Sequence, residues 1–161
     1  MIIFGISLST SDIWLLGICG TLFTILIPFS FYRYKSFCTA SIVFRNKIMT
    51  ELEGLYPTPA NWPKNSMDIV HILREKYPRI EIAVNIFKGY LPIWQVNGFN
   101  KAWVKYYSEY KQEGQQCYYH YVPFSGSSIE NGVETTYDNT KAFKDNFKHN
   151  VDALLKYAKQ K

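Results

Sequence analysis

Cys117 and His120 form a Cys-x-x-His pair inside QQCYYHYVPF, a spacing that could supply half of a zinc site or set a thiolate beside an imidazole. A closed zinc site needs four ligands, and the other two histidines, His71 and His149, fall on separate segments without a second clustered pair. The sequence therefore implies no metal and no cofactor. A nucleophilic pair would need a base within hydrogen-bond reach and an oxyanion donor, and on an extended segment residues three apart point to opposite faces. Cys117 and His120 are the candidate catalytic residues. The competing expectation is that Cys117 is a small buried apolar side chain.

A second set of residues could bind rather than react. Tyr118, Tyr119, Tyr121 and Phe124, with Trp103, Tyr106 and Tyr107, resemble a stacking platform, and Lys101 and Lys105 are interleaved with them. The net charge of +5 is modest, and no two basic residues are adjacent. That balance argues against nucleic acid and for an aromatic core whose hydroxyls reach the surface. Tyr56 to Pro63, YPTPANWP, excludes helix through its prolines and offers Trp62 as a docking point. Trp62, Tyr118, Tyr119 and Tyr121 are thus the candidate binding residues. The acidic pairs Glu51 with Glu53 and Glu109 with Glu113 read as solvated helix faces. No phosphate loop, paired-His metalloprotease motif or nucleophile elbow is present.

The elements that would position these residues begin with an uncharged run from Ile13 to Tyr32, IWLLGICGTLFTILIPFSFY. As a helix it would span about 30 Å, the thickness of a bilayer's hydrocarbon core. It predicts a single transmembrane anchor at 13–32 after a short tail at 1–12. Arg33, Lys35, Arg45 and Lys47 follow the run and no basic residue precedes it, so the N-terminus is expected outside and the rest in the cytoplasm, at the inner (plasma) membrane. The opening segment lacks the basic region of a cleaved signal peptide, and Ile18 does not suit a lipoprotein site at Cys19. Gly17, Gly20, Thr21 and Thr24 make two small-xxx-small pairs, through which two anchors could pack as a homodimer. Three dispersed cysteines give no disulfide framework and fit a reducing compartment.

From Ser36 onward, 126 residues with 16 basic and 12 acidic side chains suffice for one compact domain. A juxtamembrane segment at 33–40 leads into a soluble helical domain at 41–161; direct continuation of the first helix through Ala40 is the alternative. Phe44, Ile48, Met49 and Leu52 have helical spacing, and Gly54 is placed to stop that helix. Ser66 is expected to cap a helix ending near Tyr77, and Pro78 to open another ending at Gly89, although Ile80, Ile82, Val84 and Ile86 also alternate as in a strand. Phe99, Ala102, Trp103, Tyr106 and Tyr110 define an aromatic-faced helix from Gly98 to Lys111. Gln115 to Phe124 reads as a short strand or extended segment, and Ser125 to Thr140 as a loop or hairpin. Phe143, Phe147, Val151, Leu154, Leu155 and Ala158 mark a closing helix. One core is expected from Phe99, Trp103, Tyr106, Phe143, Phe147, Val151 and Leu154.

The linked segments FRNKIMTELEGLYPTPANWP, FNKAWVKYY, QCYYHY and FKHNVDALLKYAK resemble those of a set of small bacterial single-pass membrane proteins with no assigned activity. The resemblance covers Phe44 to Lys159 and implies location and outline rather than mechanism. The expected fold class is mostly α: one N-terminal transmembrane helix, then a small aromatic-rich helical domain with at most a short strand or hairpin. The expected function is a membrane-tethered cytoplasmic interaction domain without catalytic activity, with a protein partner. The alternative is a small membrane-associated enzyme using Cys117 and His120 or a tyrosine-lined pocket.

Overall fold

The computed structural model describes all residues except 1, 4–5, 8–9, 64, 66, 109–117, 123–124, 131–132 and 160–161; in the N-terminal half of the first helix and in the later hairpin many side chains also lie outside the description. The chain divides into two compact units, Met1–Phe37 and Cys38–Lys161.

In the first unit, β1 (Ile2–Ile3) pairs antiparallel with β2 (Ile6–Ser7), and α1 begins at Thr10. The helix runs unbroken to Glu51, so 33–40 is helical and continuous with the amphipathic stretch expected from Ser41. Thr21 donates to the Gly17 carbonyl at 3.1 Å, Thr24 to that of Thr21 at 2.8 Å and Ser30 to that of Leu26 at 2.8 Å. These hydroxyls are spent on their own helix.

The expected anchor requires correction. Among the described residues no helix is long and apolar enough to cross a membrane. The finding overturns the single-pass helix at 13–32 and, with it, the inner-membrane location and its orientation. The mostly helical character stands.

In the second unit, Phe44, Ile48 and Leu52 of α1 are buried at successive turns, and the helix ends in a turn where Gly54 adopts φ 81°. A Cβ there would lie 2.9 Å from the Asn61 amide, and the Gly54 carbonyl accepts from the Asn61 N–H at 2.9 Å, so the glycine closes this loop on itself. α2 (Asp68–Lys88) buries Ile69, Val70, Leu73, Tyr77, Ile80, Val84 and Phe87, one stripe at spacings of three and four. It is a single helix where two were expected, with Pro78 inside it. Pro78 is exposed, and the helix loses one hydrogen bond there while burying Tyr77 and Ile80 on either side. Residues 80–88 are helical, not strand.

α3 (Ile93–Tyr107) starts after a corner pinned by buried Leu91 and buries Phe99, Trp103 and Tyr106. Tyr118–Tyr121 is a 3-10 turn, η1, in place of the expected extended segment. β3 (Ser125–Glu130) and β4 (Val133–Asp138) form the hairpin, with Ser125 opposite Asp138 and Glu130 opposite Val133. α4 (Thr140–Leu155) continues into η2 (Lys156–Ala158) and buries Phe147, Val151, Leu154, Leu155 and Ala158. Of the expected core set, Phe143 alone is half-buried; the other six are buried. Phe44 stacks on Phe87 at 4.5 Å, and both meet Phe99 edge-on.

Candidate functional site

The last turn of an α-helix leaves its carbonyls without intrahelical partners. In α3 two of these are met from elsewhere in the domain. Tyr121 of η1 donates its hydroxyl to the Tyr106 carbonyl at 2.8 Å, and Asn150 of α4 reaches the Lys105 carbonyl at 3.5 Å. The same Asn150 amide donates to the Tyr121 hydroxyl at 2.9 Å and to Asn146 Oδ1 at 3.3 Å. This polar knot ties η1 and α4 to the end of α3. Aromatic rings surround it: Phe147 meets Tyr121 at 5.1 Å and Tyr106 at 6.2 Å, while Tyr106 and Tyr118 meet edge-on at 5.6 Å. Trp103 stacks between Tyr77 and Tyr106 at 5.5 and 5.6 Å.

The candidate binding residues divide between core and surface. Tyr118 and Tyr121 are fully buried in this cluster. Trp62 is half-buried, edge-on to Phe147 at 5.6 Å, with the Lys144 ammonium 5.8 Å from its ring. Tyr119 is exposed beneath the Arg74 guanidinium at 5.5 Å. Among the candidate catalytic residues, His120 is half-buried, its ring centroid 3.8 Å from that of Tyr121, whereas Cys117 lies outside the described residues. Phe124 and the acidic Glu109 and Glu113 also lie outside them. In the first unit Gly17, Thr21 and Thr24 are exposed, and the Gly20 environment is outside the description.

The buried phenols are poor acids. Burial pushes Tyr106 well above the ordinary tyrosine range, with Tyr118 and Tyr121 adding to it, and burial likewise raises Tyr118. Tyr77 is raised by burial and by donating to Glu81 at 2.7 Å. Tyr56 is pushed up to about 12 by burial and by its 2.6 Å donation to Asp152. At neutral pH all four are neutral side chains, and none offers a tyrosinate as base or nucleophile. Among the described residues no three His, Cys, Asp or Glu side chains converge to hold a metal ion.

Carboxylates at the edges of the core are held ionised. Glu51, buried at the end of α1, accepts from Lys47 at 2.8 Å and from Arg79 of α2 at 3.1 Å; the Lys47 hydrogen bond is the main cause of its lowered pKa. For Asp152, burial pushes upward, but hydrogen bonds from Lys148, at 2.6 Å, and from Tyr56 outweigh it and hold the group below its ordinary value. Each carboxylate is fully engaged in structure.

Comparison with protein-family models, with curated proteins and with solved structures finds no match to this chain. Functional assignment therefore rests on the chain's own surface chemistry. Around the α2–α3 corner Ile82, Ile86, Tyr90, Ile93 and Trp94 are all exposed large apolar side chains, Ile93 at 89% and Trp94 at 82%. None of these five belongs to the buried stripes of α2 and α3, so helical periodicity does not point to them. Their available signal was LPIW: after Leu91 turns inward and Pro92 ends the corner, Ile93 and Trp94 fall off the Phe99–Trp103–Tyr106 face.

Proposed function

We propose that this chain is a non-catalytic protein-interaction domain, and that its contact surface is the apolar group at the α2–α3 corner. The observation that carries the reading is the adjacent pair Ile93 and Trp94, left almost fully in water by a domain that packs Phe99 and Trp103 on the same helix. Exposed apolar groups of this kind mark contact sites, and tryptophan is the residue type most enriched among those that dominate binding energy. The engaged carboxylates and neutral phenols support the same reading, since they supply stability rather than a reactive group. The partner is a protein presenting a complementary apolar surface.

A photo-crosslinking amino acid at position 94 or 86 should give one discrete adduct in cells, and the same probe at exposed Lys101 should give none. The partner identified by mass spectrometry, once purified, should bind wild-type chain directly and lose at least thirtyfold in affinity to Trp94→Ser, corresponding to about 2 kcal/mol for a hot spot. Equal labelling at 94 and 101, or undiminished binding by Trp94→Ser, would remove the basis for the proposal.

A further inference from the structure

Ile42 and Arg45 stand on adjacent turns of one α1 face, and across from them the chain closes with Ala158 of η2 and Lys159. Among the described residues these line an open cavity of about 400 Å³, within the range of about 300–1,000 Å³ typical of small-molecule sites. Two of these lining residues are apolar: Ala158 is fully buried, and half of the Ile42 surface remains in contact with solvent. The other two, Arg45 and Lys159, are cationic. Among the described residues the ion pairs engage Lys47, Arg79 and Lys148, and neither Arg45 nor Lys159 takes part in one. Two cations of different reach, neither in an ion pair, beside two apolar residues have a definite chemical complement. The guanidinium can grip a carboxylate with two parallel N–H donors, the ammonium can approach as a point charge, and an alkyl body can cover Ile42.

We propose that this cavity binds a small amphipathic carboxylate, its head held by Arg45 and Lys159 and its apolar body lying on Ile42. The site is independent of the α2–α3 corner and does not rest on the interaction reading. Neither cation is needed for folding, because Arg45 is half-buried without a bonded partner carboxylate and Lys159 is exposed.

The test is isothermal titration of the full chain with decanoate below its micellar concentration. Saturable uptake of one equivalent is expected, with Arg45→Gln and Lys159→Gln each weakening it at least tenfold at unchanged unfolding midpoint. Decanol, decyltrimethylammonium and inorganic phosphate should each bind at least tenfold more weakly than decanoate, since each lacks the anion or the apolar body. Wild-type affinity in both variants would place the uptake elsewhere on the chain and overturn the proposal. So would equal binding of the alkylammonium or of phosphate, or the absence of saturable uptake.

Discussion

Replacing Tyr121 by Phe removes one oxygen and leaves the ring in place, so it tests the polar knot without opening the aromatic core. That oxygen serves two partners, the Tyr106 carbonyl at 2.8 Å and the Asn150 amide at 2.9 Å. The carbonyl belongs to the final turn of α3 and has no helical donor, so its loss is the full cost of a buried unsatisfied acceptor, about 1–3 kcal/mol. The amide keeps Asn146 at 3.3 Å and the longer contact to Lys105, which offsets most of its loss. Together the change should cost about 2–3 kcal/mol. Urea unfolding followed by near-ultraviolet circular dichroism should show a lower midpoint at unchanged slope, because the surface exposed on unfolding is the same. Asn150→Ala should couple to it by about 1 kcal/mol in a double-mutant cycle, since both remove the shared bond. Tyr119→Phe, on the exposed neighbour, is the control and should shift nothing measurable. If Tyr121→Phe behaves like that control, the hydroxyl does not cap α3 and the reasoning fails.

Truncation of Trp103 or Phe147 to Ala should cost about 3–5 kcal/mol, read by thermal melting; an unchanged melt in both would dismiss the shared core of α3 and α4. Gly98→Ala would set a Cβ 2.5 Å from the Tyr157 hydroxyl, costing about 1–3 kcal/mol, and adding Tyr157→Phe should recover part of the loss because the clashing atom is the oxygen. Glu51 and Asp152 have folded-state pKa values below their unfolded ones, so their contribution is present above the ordinary carboxylate pKa of about 4 and is lost as pH falls through the lowered values. Urea midpoints should fall on acidification below about pH 4, and a Glu51→Gln, Asp152→Asn chain should show a flatter acid limb; an identical acid loss would exclude both groups as its source. Trp94→Ser should change stability by no more than about 0.5 kcal/mol, and a larger loss would show that the side chain supports the fold.

The helices whose large apolar residues recur at three and four were legible before any coordinates: α3 through Phe99, Trp103 and Tyr106, and α4 through Phe147, Val151 and Leu154. Pro78 misled because local propensity counts its missing donor but not the burial of Tyr77 and Ile80 beside it. The aromatic run at 118–121 favours strand by residue type, yet it coils because the Tyr121 hydroxyl must reach Tyr106 and Asn150, partners 15 and 29 residues away. Such long-range bonds leave no period in a sequence. The uncharged run at 13–32 suggested a span, whereas among the described residues no helix is long and apolar enough to cross a membrane. For the site, Tyr118 and Tyr121 group with Tyr106 but are consumed in packing, and the outward pair Ile93 and Trp94 lies off the inward period that marks α3.

The four tryptophans occupy contrasting surroundings: Trp14 and Trp94 face water, Trp103 is stacked between tyrosines, and Trp62 is half-sheltered against Phe147. The chain thus carries its own optical reporters. A dissolved quencher such as iodide should extinguish the red-shifted emission of the water-facing pair first and leave Trp103 glowing. Covering the α2–α3 corner would shield Trp94 alone, so the fraction of light that iodide can reach becomes a label-free gauge of occupancy at that corner.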